Sequence, residues 1–114
     1  MSAKHTPGPW VVSRSADKRT GTHVRTARPL LPGASDGVSV CRVTYLDEGA
    51  PANATLIAAA PELLDANKSV FRLVGDIARL IRSGEFSEKS VWAVCERIED
   101  VTRYAVAKAE GEQP

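Results

Sequence analysis

The chain has 114 residues, of which 43% are hydrophobic and 25% charged, with a formal net charge of +1. That length suits one domain with a small core, and two Trp, two Tyr and two Phe leave the core mostly aliphatic. The near-neutral balance weakens direct nucleic-acid binding, no run approaches the ~20 apolar residues of a membrane span, and residues 1–9 hold no apolar run of a secretory signal, so a cytoplasmic protein is expected.

Residues 1–8 are polar and form an extended arm, because Pro7 and Pro9 deny helix to the residues before them. Residues 10–14 read as a first strand, with Trp10 and Val12 on one face. Trp10 can anchor the core or serve as a stacking platform for a base; a small core needs its large side chains, which favours the first. Residues 16–22 form a turn and residues 23–27 a second strand, ended by Pro29, Pro32 and Gly33. Residues 38–46 give the strongest strand signal. Neither of its faces is wholly polar, which predicts a central strand packed on both sides.

Residues 47–51 are a junction to an alanine-rich stretch, predicted as a first helix over 52–60. The pairs Leu56-Ile57 and Leu63-Leu64 lie seven residues apart, so they share a helical face. Pro61 would break a helix interior, so the chain should kink there and restart. The second helix runs over 61–82, with a buried stripe of Leu63, Leu64, Val70, Phe71, Val74, Ile77, Ala78 and Ile81. Gly84 ends it in the left-handed conformation. Ser87 is the N-cap of a third helix, with Glu88 in its first turn and Phe86 at stapling distance from Val91. Its buried stripe is Val91, Val94, Cys95, Ile98, Val101, Thr102 and Ala105. Residues 111–114 should fray. The short link between the last two helices makes an antiparallel hairpin.

The fold class is therefore α+β in a single domain over 1–114. An antiparallel sheet of about three strands occupies 9–46 and a helical half occupies 52–110, with the hairpin laid across one face of the sheet. Domains of this size expose much apolar surface, so a homo-oligomer is expected.

Charge is unevenly spread. Residues 1–46 carry seven Lys/Arg against two acidic residues, and residues 47–114 carry eight against twelve. The first half is the side that would meet an anion, unless its arginines are simply a solvated surface. The two cysteines, Cys41 and Cys95, match no metal or redox spacing and are expected as buried, reduced thiols. His5 and His23 have no carboxylate spaced as a dyad partner. Glu62, Asp65, Asp76, Glu96, Glu99 and Asp100 read as members of surface ion pairs. There is no glycine-rich phosphate cradle. These features argue against an enzyme and call for no cofactor and no metal.

Asn53 is a polar residue between two alanines near a helix start. It can bond free backbone N–H groups, or its amide can read the polar edge of a ligand. Arg42 on the third strand and Arg72 on the second helix can pair with surface carboxylates or bind phosphate bidentately. With a helix N-terminus at 52–54 they would make a phosphate site.

Two stretches also carry a family likeness. His5-Thr6-Pro7-Gly8-Pro9-Trp10, followed by Ala52-Asn53-Ala54-Thr55-Leu56-Ile57-Ala58-Ala59-Ala60-Pro61-Glu62-Leu63-Leu64, resembles a widespread family of small phage and prophage proteins. Those share an HTPGPW opening, a variable strand-rich middle and an ANAxLIAAAPELL helix. The layout, strands first and helices last, is similar to that of phage anti-Thoeris proteins. These are sponges that hold a cyclic ADP-ribose-type molecule or cyclic oligonucleotides in pockets between subunits.

The resemblance implies a phage anti-defence protein that sequesters a cyclic nucleotide in an infected or lysogenic bacterial host. Asn53, inside the motif, is then the first ligand contact. Arg42 and Arg72 are added from charge and placement, and Tyr45 as the aromatic on a base. The rival expectation is a protein-binding inhibitor of a host defence effector, of anti-CRISPR type, acting through the basic sheet or the acidic hairpin.

Overall fold

The computed structural model describes residues 5–14, 22–33, 37–43 and 50–112. Within them lie β1 (Trp10–Arg14), β2 (Thr22–Thr26), β3 (Ser39–Val43), α1 (Ala50–Ala58), α2 (Ala60–Ser83) and α3 (Glu88–Ala109). The α+β class, strands before helices, is the one the sequence predicts. The turn at 16–21, the strand end at 44–46 with Tyr45, the junction at 47–49 and the tail at 113–114 lie outside the described residues.

The strands pair antiparallel in the order β1-β2-β3, so the centre of the sheet is β2 and not β3. Thr22, Val24 and Thr26 of β2 are buried in strict alternation. The reason the sequence misleads at β3 is a bulge. Val24 pairs with Cys41 and Arg25 with Ser39, which leaves Val40 as the extra residue. A bulge can turn two successive side chains to the same face, and Val40 and Cys41 both pack against the core. The mixed apolar pattern of β3 thus marks a bulge rather than two covered faces.

One face of the sheet is covered by α1. The cluster is Val24, Ala54 and Ala58, with Trp10, Val12, Val40, Cys41, Val43 and Ile57 packed around it. Ala54 and Ala58 are one turn apart, and their small side chains let the helix approach the sheet closely. The indole of Trp10 packs here and its Nε1 donates to the carbonyls of Thr6 (3.3 Å) and Pro7 (3.2 Å). That ties the arm to β1. A Cβ on Gly8 would meet Pro61 at 2.7 Å and 3.0 Å, so only glycine allows this contact without a shift. The two stretches that carry the family likeness are therefore packed on one another, around Trp10 and Pro61.

The break between α1 and α2 is a single residue. Ala59 takes a helical conformation and its N–H donates to the Thr55 carbonyl (3.1 Å), and Pro61 stands in the first turn of α2, where a missing N–H is harmless. Gly84 ends α2 at φ +76°, the left-handed value that glycine takes without a Cβ clash. Ser87 caps α3: its Oγ accepts from the Ser90 N–H (3.1 Å), and Ser90 Oγ accepts from the Ser87 N–H (3.1 Å). Serine thus replaces the usual glutamate in a reciprocal capping box. Ser87→Ala should lower stability by about 1 kcal/mol, read as a shifted midpoint in urea unfolding.

The hairpin of α2 and α3 does not lie across the sheet as the sequence suggests. The two helices pack on each other and touch α1 at their base, and among the described residues α1 is the helix that covers the sheet. The molecule is 61 × 34 × 24 Å with a radius of gyration of 18.6 Å, well above the ~13 Å of a compact chain this long. The base of the hairpin is fastened by an ion pair between Glu62 of α2 and Lys108 of α3, both mostly buried. Glu62 is thus not the surface residue its sequence context suggests. From that base the helices extend some 35 Å to Gly84.

Candidate functional site

The four residues singled out from sequence do not gather at one place. Tyr45 lies outside the described residues. Asn53 is exposed on α1. Arg42 pairs across the sheet with His23, whose neighbours Thr22 and Val24 are the buried ones, so Arg42 stands on the face turned away from α1. Arg72 is exposed on α2, roughly 18 Å along the helix from its start. Helix α1 begins at Ala50, with Arg42 behind the sheet and Arg72 out on the hairpin.

Arg72 does have company, though not the company expected. It lines a hollow of about 540 Å³ between α2 and α3, with Ser69, Asp76, Arg79 and Arg97 around it. Ser69, Arg72, Asp76 and Arg79 recur at steps of three and four, so they share one flank of α2. Arg97 comes from the facing helix. The Arg72 guanidinium donates to Ser69 Oγ (3.3 Å), and Arg79 pairs with Asp76. Three guanidinium groups thus meet one carboxylate, and the excess charge there is positive. The next hollow toward the base is acidic. It holds Glu62, Asp65, Asp100 and the exposed Tyr104, and it shares Ser69 with the first. One flank of the hairpin therefore runs from basic to acidic within a few turns.

Sequence reading missed Arg79, Arg97 and Tyr104. Arg72 and Arg79 are seven residues apart, a signal that was available. Arg97 and Tyr104 join them only once the pairing of α2 and α3 is known.

The opposite flank holds most of the exposed apolar residues of the hairpin. Only Leu73 and Pro61 of α2, and Ala105 of α3, are buried. Of the stripe predicted for α2, Leu64, Phe71, Val74 and Ile81 are exposed, with Phe71 81% accessible. Of the stripe expected on α3, Cys95 and Thr102 are exposed, and beside them Val106 is exposed and Trp92 is 65% accessible. The correction has one cause. Helix α3 packs on the edge of the apolar arc of α2, centred on Leu73, and leaves the middle of the arc open. Both cysteines are free, but Cys95 is not buried as expected.

Arg103 pairs with Glu99 (2.6 Å) and Asp100 (3.5 Å), the surface pairing expected of α3. Among the described residues no group of three His, Cys, Asp or Glu is placed to hold a metal ion, and no helix is long and apolar enough to cross a membrane.

A family model described as Salmonella phage P22 protein Y8K6 matches residues 1–113. No curated protein and no solved structure is similar to the chain at a significant level.

Proposed function

The chain belongs to the family of Salmonella phage P22 protein Y8K6, and from that premise we propose that it is an anti-defence accessory protein that captures a cyclic nucleotide without transforming it. The observation that carries this reading is the hollow where Arg72, Arg79 and Arg97 converge beside an acidic hollow. Guanidinium groups suit phosphate oxygens through paired N–H donors. Tyr104 offers a ring face to a base, and Asp100 beside it accepts from an exocyclic amine or a ribose hydroxyl. Capture of this kind needs charge and shape only, and it would act where the signal is made, in the cytoplasm of the infected cell.

Arg72→Ala with Arg97→Ala should abolish binding while leaving the fold intact, because both side chains are exposed. Thermal shift of the purified protein against a panel of cyclic mono-, di- and trinucleotides and cyclic ADP-ribose isomers checks it. A melting temperature unmoved by the whole panel sinks the reading.

A second reading rests on the outer face of the sheet, where His23, Arg25 and Arg42 stand beside exposed Val11 with no helix over them among the described residues. That basic face fits an acidic surface of a host defence protein, which would be inhibited by occlusion. Co-purification of one such effector, lost in Arg42→Glu and unaffected by nucleotide, supports this reading over the first.

A further inference from the structure

We propose that the apolar flank of the hairpin is a homodimer interface, and that two hairpins close into a four-helix bundle. The proposal does not depend on which ligand the polar flank takes.

The exposed apolar residues of α2 and α3 turn to one side of the hairpin. A helix turns 100° per residue. With Leu73 pointing at α3, Val74, Phe71, Ala78 and Ile81 fall at about 80–160° to one side of that direction. With Ala105 pointing at α2, Cys95, Thr102, Val106 and Trp92 fall at about 60–140° in the same rotational sense. The two helices run antiparallel, so equal senses of rotation bring both arcs to the same side of the hairpin. Arg72, Asp76, Arg79 and Arg97 fall in the opposite sense and share a hollow, which Phe71, at the far end of the apolar arc of α2, also borders. One flank therefore gathers the exposed apolar residues of both helices, interrupted on α3 by Glu88 and by Glu99, the latter paired with Arg103, and the other flank is mostly polar.

A single copy has a small core. Among the described residues the buried hydrophobic side chains are Val24, Leu73 and the alanines 54, 58, 59 and 105, apart from Pro61. The largest fully buried one is Val24. Phe71, Trp92, Ile81 and Val74, which should anchor a core, are more than half exposed. A chain that is 43% hydrophobic leaves most of its described large side chains outside, Trp10 excepted.

Helices of 24 and 22 residues lying about 10 Å apart present a face of roughly 35 × 20 Å, or about 700 Å². A stable interface takes about 800 Å² from each partner. The occupant that matches this face in length, width and aliphatic composition is the same face of a second copy. Isologous pairing of antiparallel hairpins is the ordinary route to a four-helix bundle. Phe71, Val74, Ala78 and Ile81 follow the 3-4-3 spacing of a bundle seam. In the dimer both polar flanks stay outside, so each copy keeps its arginine hollow.

The test is solution mass together with the reactivity of Cys95. Light scattering on the full chain should give twice 12.2 kDa, and Phe71→Glu with Ile81→Glu should give 12.2 kDa with helical circular dichroism retained. Cys95 is exposed in a single copy and lies on the proposed interface. In a Cys41→Ala background, a thiol reagent should label Cys95 slowly in the wild-type dimer and fast once urea separates the subunits. This readout decides the matter even where the double glutamate variant fails to fold. A wild-type mass of 12.2 kDa, a mass other than twice that value, or a dimer whose Cys95 labels as fast as in urea overturns the proposal.

Discussion

Gly37→Ala should destabilise the protein by about 3 kcal/mol, a loss measurable in equilibrium urea unfolding. Gly37 lies just before β3. A Cβ there would fall inside the van der Waals radius of the Thr26 carbonyl oxygen, and 2.8 Å from both the Thr26 carbonyl carbon and Oγ1. The neighbour is backbone, so no side-chain rotation relieves the clash. Thr26 itself cannot move freely. It is buried, its N–H donates to the Val38 carbonyl (2.9 Å), its Oγ1 accepts from the Val38 N–H (2.8 Å), and that same hydroxyl donates to the Arg28 carbonyl (2.8 Å). Room for a methyl group is made only by opening this pairing, which joins the end of β2 to the start of β3. Gly75→Ala gives the contrast. Gly75 lies inside α2 and a Cβ there meets nothing within 4 Å, so alanine should stabilise by about 1 kcal/mol. A Gly37→Ala variant with an unchanged midpoint would show that the strand end yields without cost.

Much of the fold is legible in the sequence because local signals there agree with one another. The first two β-branched runs, Pro61 after an alanine-rich segment, Gly84 and Ser87 before an apolar period place β1, β2 and the three helices to within two residues. What the sequence does not show is which apolar residues a single copy hides. Periodicity identifies the apolar arc of α2 but not the part of that arc α3 covers, because an arc this wide can seat more than one neighbour. Phe71 and Leu73 are two residues apart, and the structure reverses their expected burial. The bulge at Val40 escapes for a related reason. Alternation is the only strand signal in the sequence, and an extra residue resets it without leaving a mark of its own.

The candidate site was less legible still. Charge and placement point to Arg72, and its partners Arg79 and Arg97 are collected by the packing of α2 on α3. Arg42 and Asn53 are held on separate surfaces by the sheet lying between Arg42 and α1. A ligand contact built from distant segments leaves no short motif. The motif residues that do stand out, Gly8, Trp10, Ala54, Ala58 and Pro61, make contacts between the arm, the sheet and the helix junction.

The last expected effect follows from those alanines. Ala54→Leu should cost about 3 kcal/mol, and Leu56→Ala less than about 1 kcal/mol, the reverse of what residue size suggests. Ala54 is wholly buried against Val24, itself wholly buried, at the closest approach of α1 to β2. Three more carbons there must displace the helix from the sheet or force Val24 from its rotamer, since a close-packed interior has no void to receive them. Displacing α1 also disturbs Ala58, one turn on, and the Trp10 indole packed beside it, so the cost spreads over the whole cluster. Leu56 points away and is 51% accessible, so its truncation removes little buried surface. Urea unfolding of the two variants beside the wild type separates them. Equal losses would mean that α1 presents a different face to the sheet, and the register from Trp10 through Val24 to Ala54 would have to be redrawn.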